Sequence, residues 1–300
     1  MFPDPDKAII QKLESPLYNE KQVELFVKRE DLIHPYISGN KWRKLKYNVQ
    51  VFQQSGKRIM VSFGGAFSNH IHALACTGDL LGIPTAGIIR GELKEPLNPT
   101  LREVLSWGMQ LKFLSREEYK KKELLNISAV TGYSDSEMYI IPEGGANEAG
   151  VKGCAEILDN VRLPFDYLCC ACGTGTTLLG LGAALKGKRA EILAFPAIKG
   201  ALSLEAQLKE KLKEGNRMKF FHEFHFGGYG KVKPELLRFM HDFEEKTHIP
   251  LDPLYTGKMF YGIHQLIQED YFPKGSVILT IHTGGLQGKR GFKEFNPSID

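Results

Sequence analysis

The sequence predicts an α/β protein of two domains, each an open, twisted, parallel-strand-rich sheet flanked by helices. Three observations predict it. Short β-rich runs alternate with longer segments of helical period along most of the 300 residues. Three of those runs are apolar almost throughout, as strands covered on both faces must be. The length itself is about twice that of a typical domain.

Taken in order, RIMVSF (58–63), TAGIIR (85–90), MQLKFL (109–114) and EMYIIP (137–142) read as strands with apolar or mixed faces. DYLCCAC (166–172), EILAF (191–195) and SVILTI (276–281) are the near-continuous apolar strands. Between them, residues 69–82, 147–161, 177–187 and 234–247 carry apolar residues at helical spacing. Such alternation implies parallel pairing through right-handed crossovers. No Pro/Gly-rich linker separates two halves, so the second domain is expected as an insertion. Residues 46–155 form the smaller inserted α/β unit, and residues 1–45 with 156–300 form the larger domain. The Lys120-Lys121-Lys122 run lies among acids and reads as a solvated helix face.

Composition narrows the function classes. Hydrophobic residues at 42% and charged residues at 25% are those of an ordinary globular protein, which excludes disorder, collagen-like repetition and a coiled coil. A net charge of +4 suits an anionic small molecule and is too small to argue for nucleic acid. Five cysteines cannot all pair internally, and in a chain this long they point to a reducing, cytoplasmic compartment. The N-terminus MFPDPDKAII has early acids and no apolar run, unlike a secretory signal. Tyr167 to Leu185 carries no charge, but its glycines and threonines make it a buried strand, a turn and a helix rather than a membrane span.

Three segments carry chemistry. CGTGTTLLGLG (172–182) follows an apolar strand and opens a helix. Small residues from Gly173 to Thr177 let backbone N–H groups converge on an anion at the helix N-terminus, with the hydroxyls of Thr174, Thr176 and Thr177 as further donors. The spacing is neither a Walker A loop, which needs a Lys, nor G-x-G-x-x-G, since position 178 is Leu. The bland alternative is a tight turn with Gly for close packing. SFGGAFSNH (62–70) has the same design, although Ser68 or Asn69 alone would be an ordinary N-cap. Two such turns suggest two anionic groups on one ligand. In the third segment, residues 27–48, Lys41 follows Ser38-Gly39-Asn40 at the first turn of a helix, where a cation is disfavoured unless it has a task. A desolvated lysine loses pKa and becomes a nucleophile able to form a Schiff base.

KRED (28–31) with GNKWRKL (39–45), SFGGAFSNH (62–70), PEGGANEAG (142–150), CGTGTT (172–177), GGYG (227–230), YTGK (255–258) and HTGG (282–285) occur in this order. Together they resemble the fold type II pyridoxal-phosphate enzymes, the tryptophan synthase β superfamily, and within it the branch of D-cysteine desulfhydrase and 1-aminocyclopropane-1-carboxylate deaminase. The resemblance spans essentially the whole chain. It implies pyridoxal 5′-phosphate in the interdomain cleft, attached through Lys41, with Lys44 facing the phosphate and Gly173, Thr174, Gly175, Thr176 and Thr177 cradling it. It assigns Asn69 to the ring hydroxyl, Tyr255 to the ring face and Thr283 to the pyridine nitrogen. Ser68, Asn69, His70, Tyr229 and Thr256 become substrate contacts, and Lys41, Ser68, Tyr255 and Tyr229 the catalytic set. It further implies a small amino-acid substrate and a homodimer, with no nucleic-acid or membrane partner.

Neutral Thr256 and Thr283, where the deaminase keeps a Glu after the Tyr, imply a weaker electron sink. That favours β-elimination, as in D-cysteine desulfhydrase, with ring-opening deamination as the alternative. A ligand-binding protein that has lost the chemistry is the alternative of another class, opposed by the presence of Lys41 and of Ser68-Asn69. No metal is expected. His70 and His72 fall on different helix faces, His222 and His225 on opposite faces of a strand-like run, and Cys169, Cys170 and Cys172 on one buried strand.

Overall fold

The computed structural model describes residues 2–212 and 217–295. The chain opens with β1 (Ile10–Leu13), α1 (Pro16–Lys21), β2 (Glu24–Lys28) and α2 (Asn40–Gln54). It continues through β3 (Ile59–Gly65), α3 (Asn69–Leu81), β4 (Thr85–Arg90), α4 (Pro99–Ser106), β5 (Gln110–Leu114), α5 (Arg116–Lys120), α6 (Ile127–Thr131), β6 (Met138–Ile141) and α7 (Glu148–Ala155). The remainder holds β7 (Tyr167–Cys172), α8 (Thr176–Ala184), β8 (Glu191–Pro196), α9 (Leu202–Leu212), β9 (Arg217–Phe220), α10 (Pro234–Thr247), α11 (Thr256–Gln268) and β10 (Val277–Ile281).

The strands make two sheets. One is four-stranded, ordered β5-β4-β3-β6, and parallel throughout. The other is six-stranded, ordered β1-β2-β10-β7-β8-β9, and parallel except where β1 pairs antiparallel with β2. The apolar runs are central strands, and their residues alternate between two cores. In β7, Cys169 and Ala171 face one core while Leu168, Cys170 and Cys172 face the other. In β3, Met60 faces one side and Ile59, Val61 and Phe63 the other. Burial on both faces is why these strands carry no polar alternation.

Two expectations need correction. The strand-like run around His222 and His225 ends at Phe220, and Glu223–His225 is a turn of 3₁₀-helix. His222 instead meets Glu205 at 2.6 Å. The three-lysine run is not uniformly solvated, because Lys122 stacks on Tyr119 at 5.0 Å and meets Glu143 at 3.4 Å. The charge-free stretch is β7 followed by α8, and among the described residues no helix is long and apolar enough to cross a membrane.

Buried charge orients α2. Arg43 forks onto Glu30 at 2.9 and 3.0 Å, and Arg29 onto Asp31 at 2.9 and 2.7 Å. Bidentate geometry of this kind fixes direction as well as distance. Gly39 completes the placement. Its φ is +59°, and a Cβ there would lie 2.0 Å from the Thr283 carbonyl oxygen, so only glycine fits. The Gly39 N–H donates to Glu30 O at 2.8 Å and the Asn40 N–H to Thr283 O at 3.3 Å. Lys41 thus starts a helix whose entry is pinned from two sides.

Candidate active site

A cavity of about 400 Å³ opens where the carboxyl ends of β3, β4, β7 and β10 converge. Open α/β sheets place ligands at such ends. The helix α2 contributes Asn40, Lys41 and Lys44 to its lining, and the β3–α3 turn contributes Gly65, Ser68, Asn69 and His70. From the β7–α8 turn come Gly173, Thr174, Gly175 and Thr177. Tyr229, Tyr255 and Thr283 complete the residues singled out from sequence.

Burial lowers the pKa of the Lys41 ammonium to about 7, and the neighbouring charge of Lys44 adds to the effect. A good fraction of its amine is therefore free at neutral pH. Lys44, one turn on, is buried and donates to Gly144 O at 3.1 Å. The α8 helix starts after Gly175 without a side-chain cap, so its first N–H groups are available to an anion. Asn40 Nδ2 donates to Thr177 Oγ1 at 3.0 Å, which ties this helix start to the Lys41 turn.

Ser68 caps α3, its Oγ accepting the Ile71 N–H at 3.2 Å. The ordinary capping role is thus real, and it coexists with a place in the cavity wall. Asn69 Oδ1 accepts from Gln287 Nε2 at 2.5 Å, which fixes the amide with its NH₂ end near Gly285. His70 is almost wholly buried, and the donor role of its Nε2 follows from a chain of bonds. Ser62 Oγ donates its one proton to Ile141 O at 2.7 Å, so His70 Nε2, 2.9 Å from Ser62 Oγ, must be the donor to it. The proton sits on Nε2, and Nδ1 is a bare acceptor with no partner among the described residues. Burial, with Lys41 and Lys44 nearby, pushes the His70 pKa well down and keeps the ring neutral.

Tyr255 and Tyr229 meet edge to face with centroids 6.2 Å apart. Tyr255 is held at the α11 N-terminus by Asp252, whose buried carboxylate accepts the N–H groups of Leu254, Tyr255 and Thr256 at 2.9, 2.8 and 2.9 Å. Lys258 is fully buried and donates to His225 O and Gly228 O at 3.0 and 2.9 Å, which anchors the glycine loop carrying Tyr229.

Two residues singled out from sequence lie outside the lining. Thr256 Oγ1 donates to Asp252 Oδ2 at 2.6 Å, so its hydroxyl is committed to the cap rather than to a substrate. Thr176 turns its side chain away into an adjacent cavity shared with Lys152 and Lys211, and its hydroxyl is 3.1 Å from that of Thr174. Conversely, Arg90, Glu143, Gly144 and Cys172 line the cavity and were not singled out as contacts. Glu143 and Gly144 lie inside the PEGGANEAG motif. Arg90 carried no motif, and only its position at the end of a strand beside the Gly64-Gly65 turn could have signalled it.

The residues fit a planar anionic cofactor. A phosphate has an uncapped helix N-terminus and Lys44, an aldehyde has the amine of Lys41, and a ring has Tyr255. The space is kept open by Gly173, where a Cβ would lie 3.2 Å from the Tyr255 ring. A family model described as "Pyridoxal-phosphate dependent enzyme" matches residues 11–284. The chain belongs to this family. A Pyrococcus horikoshii protein provisionally named 1-aminocyclopropane-1-carboxylate deaminase is 28% identical over 281 residues, 88% of this chain and 85% of the relative. The Arabidopsis thaliana protein named as a bifunctional, mitochondrial D-cysteine desulfhydrase/1-aminocyclopropane-1-carboxylate deaminase is 30% identical, covering 88% of this chain and 73% of the relative. Among solved structures, an ACC deaminase homologue superposes with a TM-score of 0.82 at 25% identity, over 98% of this chain and 95% of that one. The chain is a pyridoxal-phosphate enzyme of the elimination and deamination type.

Proposed function

We propose that this enzyme removes a β-substituent and the amino group from a small amino acid, acting most like a D-cysteine desulfhydrase that yields pyruvate, ammonia and sulfide. The observation that carries the choice of substrate is the neutrality of the groups around the ring position. Thr283 lines the cavity with Gly284 and Gly285 of HTGG, and Glu143, the lining's one acid among the described residues, pairs with Lys122 at 3.4 Å. Pyridoxal phosphate, when bound, supplies the electron sink for cleavage at the α-carbon. A neutral hydroxyl at the pyridine nitrogen gives a weaker sink than a carboxylate would, since an opposite charge is what raises that nitrogen's pKa. Such a sink suits removal of an α-proton. It suits poorly the opening of a cyclopropane, whose α-carbon has no proton to lose.

In this reading Lys41 would hold the cofactor's aldehyde, and its amine, already free near neutral pH, would take the α-proton. Lys44 and the first N–H groups of α8 hold the phosphate, with Gly173 to Thr177 as the cradle. Asn69, its amide fixed by Gln287, holds the ring hydroxyl. Tyr255 packs on the ring, and Ser68 with the β3–α3 turn holds the substrate carboxylate. His70, neutral with its Nε2 proton given to Ser62, offers the substrate no charge and no second donor. Tyr229 faces the substrate from the mouth. We also retain the division into 1–45 with 156–300 and 46–155 as the two walls of the cleft, and a cytoplasmic homodimer as the working form.

The test is kcat/KM on D-cysteine and on aminocyclopropane carboxylate. Pyruvate from D-cysteine should exceed 2-oxobutanoate from the cyclopropane by at least tenfold. The reverse order would transfer the assignment to the deaminase.

A further inference from the structure

The cavity rim carries a cation with no hydrogen bond or ion pair among the described residues. Arg90 ends β4, and its register partner is Gly65 of β3, three residues before Ser68. The guanidinium lies along the bare Gly65 backbone, since a Cβ there would be 3.4 Å from Arg90 Nη2. It is exposed, at the rim of the cavity whose interior holds Lys41 and Ser68.

Its guanidinium carbon lies 5.8 Å from the centre of the Tyr119 ring, and its charge is also felt by Tyr229. Among the described residues it has no hydrogen bond and no ion pair. Tyr119 offers a flat support and no charge, and it leaves the five N–H donors free. Glu143, the acid in the same cavity lining, is engaged by Lys122. Arg90 is therefore a supported, uncompensated cation facing the same space as the reacting lysine. A planar fork of this kind matches an oxyanion by two parallel hydrogen bonds.

The position selects which part of a substrate it meets. On the proposed reading, which this inference rests on, the α-carbon lies at Lys41 and the carboxylate at the Ser68 turn. What reaches the rim is the β-substituent. We propose that Arg90 is a specificity-determining residue that binds negative charge on that substituent, so that the preferred substrates are amino acids with an anionic β-leaving group such as a phosphate, sulfate or thiosulfate.

Binding of two unreactive amino acids to the cofactor-loaded enzyme tests this: 2-amino-3-phosphonopropanoate, whose carbon–phosphorus bond does not leave, and neutral 2-aminobutanoate, each as separate enantiomers. Wild type should bind the phosphono ligand at least tenfold more tightly. Arg90→Gln should bring the two dissociation constants within about twofold of each other, and Arg90→Lys should keep part of the preference. Equal weakening of both ligands would overturn the proposal, because Arg90 would then hold the shared carboxylate. An unchanged preference in Arg90→Gln, or none in wild type, would overturn it as well. Failure of the underlying reading registers separately, as no pyruvate from D-cysteine while the phosphono preference persists.

Discussion

Lys41 shows how one side chain's environment sets its chemistry. An exposed lysine titrates near 10.5, whereas burial and the charge of Lys44 bring this one to about 7. The sign follows directly. Protonation blocks the nucleophile, so below pH 7 the ammonium form dominates and above it the amine does. The rate at which cofactor-free protein takes up pyridoxal phosphate should rise between pH 6 and 8 with a midpoint near 7. Stopped-flow absorbance measures it, and a rate still climbing steeply past pH 9 would mean an unperturbed lysine. In the sequence, Lys41 stood out because a cation at a helix start needs a reason. His70 stood out only as a neighbour of Asn69. Its fixed tautomer depends on Ser62 and on Ile141 of the adjacent strand, partners that no local pattern reveals.

At the scale of elements, the first turn of α8 is the proposed anion site, and its charge response can be inverted. Thr177 lines the cavity there, while Thr176 does not. Thr177→Asp would set a carboxylate against the phosphate, a repulsion of roughly 4 kcal/mol at about 4 Å with an effective dielectric near 20. Cofactor affinity should fall on the order of a thousandfold by fluorescence titration. Thermal stability of the cofactor-free protein should hold, because an acid at a helix N-terminus is favourable. A matching substitution at Thr176 should do less. That contrast was not legible in CGTGTT, where all three threonines look alike until the helix phase is known. The same limit applies to Thr256. YTGK suggests a residue beside the ring, but Asp252, four positions earlier, claims its hydroxyl for the α11 cap. Elements with a local signature were legible and others were not. The buried runs of β7, β8 and β10 announce themselves, whereas β1 and β9 are edge strands of four residues with one buried residue each and no such run.

Across the whole molecule, the cavity exists because distant segments are locked together. The 28–31 segment, the start of α2 and the 282–285 turn meet through Glu30–Arg43, Gly39 and Thr283. Parallel alternation made the two sheets legible from sequence, yet this locking is a matter of buried charge pairs whose partners lie far apart or turn inward. Removing one charge leaves the other stranded. Glu30→Gln should cost about 3 kcal/mol or more in denaturant unfolding, the usual penalty for breaking a buried pair. Loss of under 1 kcal/mol would mean that Arg43 relaxes to water or to Glu156, 3.8 Å away. On the proposed function, these segments assemble one cofactor site around one lysine. Borohydride reduction of the loaded enzyme followed by peptide mapping tests it most directly. Lys41 should carry the reduced pyridoxyl group in a single labelled peptide, and label on Lys44, Lys28 or Lys258 in its place would contradict the account.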